Sequence, residues 1–255
     1  MSTFSDAIVR CSGKESKVHE LVLFAQSEYF FQSIRGRLEG VSVYYVYSTA
    51  LRNLTIKMSD AETPRPTFNF TAHPSTSSFA VPYETYLSTH PGEKFKCKYI
   101  ATGALVFDAS TPRRILLIQR AAHDSMPGRW EIPGGGCDKE DPSILHSVAR
   151  ELWEEAGLTA TNIGPQVGDG HFFLIRSGEL VCKFNFLVDA EKGVGGKLDV
   201  ELDPSEHQNY AWAAEEEVKA WKVGDVELKF TTREQEAVVL EAFRARREMN
   251  ADGGE

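Results

Sequence analysis

Residues 133–158, which read PGGGCDKEDPSILHSVARELWEEAGL, restrict the fold of this 255-residue chain more than any other segment. The glycines at 134–136 can adopt positive φ and let a ligand approach the backbone closely. Asp141 and Pro142 predict the start of a helix, with Asp as the N-cap and Pro at the first helical position. Gly157 predicts its end, because glycine favours the left-handed conformation of a C-terminal cap. The segment is therefore predicted to be a glycine-rich loop followed by one capped helix.

The predicted helix has an apolar face and an acidic face. The apolar stripe consists of residues spaced by four, namely Ile144, Val148 and Leu152. The acidic face carries three carboxylates at i, i+3 and i+4, those of Glu151, Glu154 and Glu155. Like charges at this spacing destabilise an isolated helix, so we expect a divalent cation with oxygen ligands to offset them. Arg150 can also hold one or two of these carboxylates with its planar guanidinium. A solvent-exposed acidic face that binds nothing is the alternative interpretation.

The second half of this segment resembles the signature box of the Nudix hydrolase family, G-x5-E-x7-R-E-U-x-E-E-x-G-U, where U is aliphatic. Residues 150–158, RELWEEAGL, match that half at every fixed position. The first half departs: counted from Gly135, the sixth residue is Asp141 instead of Glu, and eight residues instead of seven precede the arginine. Counting from Gly136 keeps the spacing but places Pro142 where the Glu belongs. We interpret Asp141 as the substitute acid, with one extra residue near the helix start.

The flanking sequence is similar to the same family. Residues 116–136, LLIQRAAHDSMPGRWEIPGGG, look like the strand, arginine and Gly-Arg-Trp segment that precede the box. Residues 209–218, NYAWAAEEEV, are similar to the Trp and Glu-Glu segment that follows the later strands. The resemblance covers about residues 97–248. It implies an α/β fold, an α/β/α sandwich around a mixed sheet.

The resemblance also implies a reaction, which is the hydrolysis of a phosphoanhydride bond in a nucleoside diphosphate linked to another group. Glu151, Glu154 and Glu155 would then ligate Mg²⁺ or Mn²⁺, and Arg150 would orient them. One of these glutamates, or a further Glu outside the box, would act as the base on the attacking water. Metals suit this chemistry because they neutralise the diphosphate and help to deprotonate a bound water. A small nucleotide or diphosphate is the expected partner, and a homodimer is compatible with this assignment.

Five further positions are candidates for binding. Glu206 lies where some relatives place an additional metal-binding Glu, although an exposed loop carboxylate is the more common explanation. Arg120 and Arg129 flank one loop and could meet substrate phosphates. Gly135 and Gly136 are expected to approach the substrate with their backbone.

Four other residues are interpreted as structural. Trp130 and Trp153 are expected to pack against the core. His171 begins a predicted strand and could face the site, although a structural role is favoured. Cys137 lies in the glycine loop without a His or second Cys nearby in sequence, so a catalytic thiol is not expected there.

Strand and helix patterns alternate along the body of the chain, which indicates a layered α/β fold. The predicted strands are residues 97–107, 115–119, 171–176 and 181–188, of which the last two form a hairpin. The predicted helices are residues 142–156, 214–221 and 232–248, the last as an amphipathic packing helix.

The N-terminal segment resembles a different family. Within residues 5–34, the pattern S-D-x-x-V followed by V-H and L-V-L is similar to the opening of a BTB/POZ protein-interaction domain. The remainder of such a domain is not recognisable, so residues 1–57 are expected to be an incomplete, dispensable segment and not an autonomous domain. Residues 58–92 are rich in Pro, Ser and Thr and predict an extended linker. Residues 93–248 are the expected Nudix domain and residues 249–255 a flexible tail.

Charge and composition restrict the partners. The net charge is −9, but residues 1–57 hold 7 basic and 5 acidic residues, so the remainder carries −11. An acidic body argues against a long nucleic acid, whose binding requires neutralised phosphates. A small phosphate substrate is compatible, because a divalent metal bridges two negative partners.

The cellular compartment of the protein is inferred from features that the sequence lacks. No apolar run approaches the roughly 20 residues of a membrane span, and no secretory signal begins the chain. The four cysteines, Cys11, Cys97, Cys137 and Cys182, form no CxxC pair, so we expect a reducing compartment without disulfides. The chain is therefore expected in the cytoplasm, with the nucleus as the alternative.

Other functions stay open at this point. The main alternative is a non-catalytic protein, which either binds nucleotides or acts as a BTB-type adaptor. An isomerase on the same scaffold is a further alternative, although no additional Cys and Glu constellation supports it.

Overall fold

The computed structural model describes residues 66–90, 97–110, 113–175 and 177–252, together with the backbone of four strands before residue 60. The chain divides into two compact units, Met1–Thr67 and Phe68–Glu255. The described strands of the first unit are β1 (Arg10–Cys11), β2 (Val18–Leu23), β3 (Val43–Tyr47) and β4 (Leu54–Ser59). They pair antiparallel in the order β1-β2-β4-β3. The segment that resembles a BTB domain lies mostly outside the described residues.

The second unit contains the predicted body of the chain. Its strands are β5 (Thr71–Ala72), β6 (Tyr99–Val106), β7 (Arg114–Arg120), β8 (Trp130–Glu131), β9 (Ala160–Leu174), β10 (Leu180–Ala190), β11 (His207–Ala214), β12 (Lys222–Val223) and β13 (Val226–Glu227). Its α-helices are α1 (Tyr83–Thr89), α2 (Ile144–Ala156), α3 (Glu215–Lys219) and α4 (Arg233–Asp252). Two 3₁₀ helices cover Pro74–Phe79 and Val194–Gly196. Among these described helices, none has the length and apolar character that a bilayer crossing requires.

The sheets of this unit are mixed. In the larger sheet, of order β5-β9-β10-β6, β10 runs parallel to β6 and antiparallel to β9. The β9–β10 pair is the predicted hairpin, although β9 begins at Ala160, well before the expected residue 171. The second sheet, of order β11-β7-β8, is antiparallel throughout. Parallel and antiparallel pairs in one sheet confirm the expected mixed topology.

Helices cover two opposite faces of these strands. Successive residues of β6 point to opposite sides, as strand geometry requires. Ala104 and Val106 belong to one apolar cluster, which also contains Val148 and Leu152 of α2. Leu105, between them, belongs to a second cluster, which contains Val239 and Phe243 of α4. The α/β/α sandwich is therefore confirmed.

The segment expected to be an extended linker contains ordered elements. Residues 66–90 include β5, the first 3₁₀ helix and α1, and β5 pairs in parallel with β9. Phe79 and Tyr83 are buried, with exposed fractions of 5% and 6%, and pack into the cluster that contains α2. The Pro and Ser content predicted an extended chain, but these two aromatic rings gain more from burial in the core.

Two expected boundaries also differ. Met58, the first residue of the expected linker, lies inside β4, where its backbone pairs with Val43 and His19. Helix α4 continues to Asp252, so part of the expected tail is helical. The division between the two units falls after Thr67.

The start of α2 differs from the prediction by two residues. Ser143 is the N-cap, and its hydroxyl accepts a hydrogen bond of 3.2 Å from the His146 N–H. Asp141 does not cap the helix, because its carboxylate is engaged by other side chains. The predicted end is confirmed, since Gly157 has φ of 67° and donates its N–H to the Trp153 carbonyl.

We expect residues 68–255, expressed without the first unit, to fold by themselves, because this unit contains both apolar clusters. Circular dichroism should show a cooperative thermal transition, with a midpoint within a few degrees of the corresponding transition in the full chain. An insoluble fragment, or one without a cooperative transition, would contradict this expectation.

Candidate active site

The glycine loop lies against β6, and its backbone lies close to the acidic face of α2. Thr102 of β6 donates its N–H to the Gly135 carbonyl at 2.8 Å. Gly134 has φ of 150°, and a Cβ there would lie 2.2 Å from the Thr102 carbonyl oxygen. A Cβ on Gly135 would lie 2.6 Å from Oε2 of Glu151. Glycine is therefore required at position 134, where backbone fills the space, whereas a side chain at position 135 would displace the Glu151 carboxylate.

Arg150 connects this loop to the glutamates. Its side chain is almost completely buried and makes two hydrogen bonds of 3.0 Å to Asp141, from Nε and Nη2. Nη2 also donates to the Gly136 carbonyl at 2.8 Å. Nη1 donates to one carboxylate oxygen of Glu151 and one of Glu154, both at 2.7 Å. Burial disfavours its charge, but Asp141 and Glu151 together raise its pKa above the ordinary value.

Asp141 occupies the position of the substitute acid predicted from the sequence, and it binds Arg150 in a two-point contact. It also accepts hydrogen bonds from the Ser147 hydroxyl at 2.7 Å and the Asp138 N–H at 2.8 Å. Although burial opposes this, the hydrogen bonds from Arg150 and Ser147 lower the pKa of Asp141. A charged Asp141 therefore anchors the guanidinium from the side opposite the glutamates.

The three glutamates of the acidic face differ in burial. Glu155 is 7% exposed, and its Oε2 accepts a 2.6 Å hydrogen bond from the Gly134 N–H. Burial, followed by the charge of Glu151, raises the pKa of Glu155 well above its ordinary value. Burial also raises the pKa of Glu151 to about 7, although Arg150 opposes this shift. Glu154 is more exposed, with a side-chain exposure of 36%.

These donors suit a divalent cation. Two carboxylates that are buried close together favour their neutral forms unless positive charge is supplied. Carboxylate oxygens are the ligands that Mg²⁺ and Mn²⁺ accept, and a single guanidinium cannot satisfy three of them. Glu206, the additional candidate, lies close to Glu155, because donor atoms of Glu155, Glu206 and His207 are within 4.8 Å of one another. The residues present therefore fit the implied metal.

A cavity of about 540 Å³ adjoins the glycine loop. Gly135, Gly136 and Arg120 line one part of it. Apolar and aromatic side chains line another part, including those of Met126, Phe173 and Ile175. A cavity with one polar and one apolar wall can hold a ligand that has both kinds of group.

The two candidate arginines occupy different places. Arg120 lies on the cavity wall and donates to Glu131 at 2.5 Å and to Asp124 at 2.6 Å. Arg129 does not line this cavity; it lines a second one, with Trp221 and Phe230. Its guanidinium donates to the Phe230 carbonyl at 3.4 Å, which keeps it at this second cavity.

The residues interpreted as structural have varied surroundings. Trp130 is 1% exposed and donates its indole N–H to the Glu227 carbonyl. Trp153 is partly exposed and contacts the Phe68 ring edge to face. Burial raises the pKa of Cys137 to about 12, which disfavours a thiolate. His171 lines the cavity, where burial and then the charge of Lys183 lower its pKa.

Three polar residues of this region were not predicted from the sequence: Lys183, His207 and Glu131. Lys183 of β10 is 9% exposed and lines the cavity. Burial lowers its pKa, although the carboxylates of Glu131, Glu155 and Glu151 oppose this. Its position as a charged residue in the apolar run VCKFNF was the available signal. His207 had no comparable signal, because it lies among other polar residues. Glu131, between Trp130 and Ile132, carried the same signal in a shorter segment.

Comparison with known proteins gives concordant matches. The sequence profile of the NUDIX domain matches residues 98–233, which is more than half of the chain. The chain is 31% identical over 134 residues to the CTP pyrophosphohydrolase of Escherichia coli K12, covering 52% of this chain and 84% of that protein. It is 44% identical over 50 residues to the RNA pyrophosphohydrolase of Psychrobacter sp. PRwf-1, covering 20% and 26%. A MutT protein from Methanosarcina mazei Go1 is 27% identical, with a TM-score of 0.42, and the match covers 58% of this chain and 94% of that protein.

The profile match does not include residues 5–34, and the BTB resemblance has no support from it.

We expect Asp141→Ala to destabilise the fold by about 3 kcal/mol, because it leaves a buried guanidinium without its two-point partner. The estimate is at the lower end for broken buried pairs, since Glu151 and Glu154 still contact Arg150. Urea unfolding of the metal-free protein measures the change. The control is Glu140→Gln, an exposed carboxylate one residue away, which should change stability by less than about 0.5 kcal/mol. Equal stabilities of the two variants would show that Asp141 does not anchor Arg150.

Proposed function

Because this chain belongs to the Nudix family, we propose that the glycine loop and acidic helix form the active site of a metal-dependent hydrolase. The enzyme cleaves a pyrophosphate bond in a nucleotide-linked substrate. The observation that carries the proposal is the convergence of Glu151, Glu154 and Glu155 around the loop. Arg150 holds the first two, and the Gly134 N–H holds the third. This arrangement also opens onto a cavity of a size suited to a nucleotide.

Each residue of the site has a proposed task. Glu151, Glu154 and Glu155 hold Mg²⁺ or Mn²⁺, and Arg150 keeps the first two in position from its buried site. The bound metal neutralises charge on the diphosphate and lowers the pKa of a coordinated water. Gly134 fixes the orientation of Glu155 by donating its N–H. The base that accepts the proton of the attacking water is one of these glutamates or Glu206.

The substrate is proposed to extend from the glutamates into the cavity. Lys183 can meet a phosphate, because among the described residues no carboxylate oxygen lies within 4.0 Å of its ammonium group. Arg120 lies on the same wall, although it already pairs with Glu131 and Asp124. The apolar part, which contains Phe173 and Met126, suits a nucleobase and ribose. Arg129 has no part in this proposal, since it lines the other cavity.

The relatives suggest where a substrate search should begin. Because the matched relatives are named a CTP and an RNA pyrophosphohydrolase, nucleoside triphosphates come first and a 5′-triphosphorylated RNA second. The acidic charge of the body disfavours the RNA. A homodimer stays a proposal, as does the choice between Mg²⁺ and Mn²⁺.

We expect the full chain to release pyrophosphate or phosphate from members of a nucleotide panel in the presence of Mg²⁺ or Mn²⁺. This release should stop when a chelator is added. Glu151→Gln should lower kcat by at least about 100-fold, because it removes charge where the metal binds. Glu140→Gln, with an exposed side chain, should keep full activity and serves as the control. A fully active Glu151→Gln enzyme would refute the assignment of the site. Nucleotide binding without turnover in the wild type would instead favour the non-catalytic alternative.

Lys183→Met should lower kcat/KM by about 10- to 100-fold, since a charge-assisted hydrogen bond to phosphate contributes about 1.5–3 kcal/mol. Met keeps the length and apolar stem of lysine, so the buried packing changes little. Lys139→Met is the matched control, because Lys139 is exposed and pairs on the surface with Glu84. Steady-state kinetics with the best substrate measure both. An unchanged kcat/KM in the folded Lys183→Met variant would show that Lys183 does not contact the substrate phosphate.

A further inference from the structure

A set of metal donors beside α2 includes a nitrogen. One donor atom from each of Glu155, Glu206 and His207 lies within 4.8 Å of the other two. Glu155 belongs to the last turn of α2, whereas Glu206 and His207 lie where β11 begins. The set therefore joins two segments about fifty residues apart in the chain, and folding alone brings them together.

The ring of His207 is buried without a hydrogen-bond partner. It is 2% exposed, and neither ring nitrogen makes a hydrogen bond with any described residue. The nearest carboxylate oxygen, Oε1 of Glu131, is 3.5 Å from Nε2 but lacks hydrogen-bond geometry. That oxygen already accepts a 2.5 Å bond from Arg120. A buried polar ring in this condition needs an explanation, and a bound ligand supplies one.

The backbone holds these donors in position without a metal. The Glu206 carbonyl accepts from the Ala121 N–H at 2.8 Å, and the His207 N–H donates to the Asp203 carbonyl at 2.9 Å. On the other side, Gly134 holds the Glu155 carboxylate through a 2.6 Å hydrogen bond. Because the three donor atoms already lie within 4.8 Å of one another, small side-chain movements would bring all of them onto one ion.

We propose that Glu155, Glu206 and His207 form a mixed nitrogen and oxygen site that selects a divalent transition metal, such as Mn²⁺, Co²⁺ or Zn²⁺, over Mg²⁺. The proposal rests on the proposed function through Glu155, which both sets of ligands share. Imidazole is a good ligand for these transition metals, whereas Mg²⁺ prefers oxygen and gives up its waters reluctantly. His207 thus changes the metal preference of the centre without adding charge to it.

The carboxylate of Glu131 fits this arrangement. In metal sites, a carboxylate commonly fixes the ring of a ligating histidine from outside the ligand shell. Glu131 lies at that position, 3.5 Å from the ring, and is itself held by Arg120. The Glu131 carboxylate therefore lies where it can hold the ring of His207 when a metal is bound.

Metal binding without substrate tests the proposal. The full chain, first treated with chelator, is titrated with Co²⁺, Mn²⁺ and Mg²⁺ by calorimetry, and the visible absorption of bound Co²⁺ is recorded. His207→Gln should weaken Co²⁺ and Mn²⁺ binding by at least about 10-fold, a loss typical of disturbed metal sites, and should change the Co²⁺ spectrum. Mg²⁺ affinity should change by less than about twofold, because Mg²⁺ depends on the oxygen ligands.

Two further variants control for folding and specificity. Glu206→Gln removes an exposed donor, so it should fold normally and also lose Co²⁺ affinity. His90→Gln removes an exposed histidine that stacks on Tyr86, and its Co²⁺ binding should match the wild type. Wild-type Co²⁺ affinity and spectrum in folded His207→Gln would overturn the proposal, as would an equal loss for Mg²⁺. Because no turnover is measured, failure here is distinct from failure of the hydrolase assignment, which Glu151→Gln kinetics test.

Discussion

The buried guanidinium of Arg150 is the interaction on which the rest of the site depends. It joins the glycine loop at Gly136, the acid Asp141 and two glutamates of α2 through five hydrogen bonds. A buried charge of this kind is tolerated because its partners are charged and well oriented. Removing any one partner leaves part of a buried charge uncompensated, so loop and helix are coupled. The positions of Glu151 and Glu154 therefore follow from the packing of Arg150 more than from their own contacts.

Around Arg150, the site brings several partly buried carboxylates close together. In the metal-free protein, burial raises the pKa of both Glu155 and Glu151, so each binds a proton more readily than an exposed glutamate does. A bound divalent cation would favour the charged forms of both carboxylates. Its binding would therefore offset the repulsion between them that burial strengthens. The glycines allow this arrangement, because at Gly135 the Glu151 carboxylate occupies the space of a side chain. Metal affinity and the backbone conformation of the loop are thus two consequences of one packing arrangement.

Much of the fold and of the candidate site could be predicted from the sequence, and the errors have physical causes. The hairpin, the apolar stripe of α2 and its Gly157 cap follow from local periodicity and backbone preference. The expected linker was wrong in residues 66–90, because Phe79 and Tyr83 are buried by distant strands that composition does not reveal. The expected cap at Asp141 was wrong because Arg150, nine residues later, takes its carboxylate. Each error occurs where a tertiary contact outweighs a local preference.

The sequence by itself determined the glycine loop, the acidic face of α2 and the arginine beside it, because residues within a few positions of one another set these features. The resemblance to the Nudix box also suggested Asp141 as the substitute acid, at a position where the chain has one extra residue before Arg150. Only the tertiary structure decided that Lys183 faces the cavity, that Arg129 lies elsewhere and that His207 meets Glu155 and Glu206. Those placements depend on how β10, β8 and β11 pack against α2 and the loop, and no pattern within a single segment contains that information.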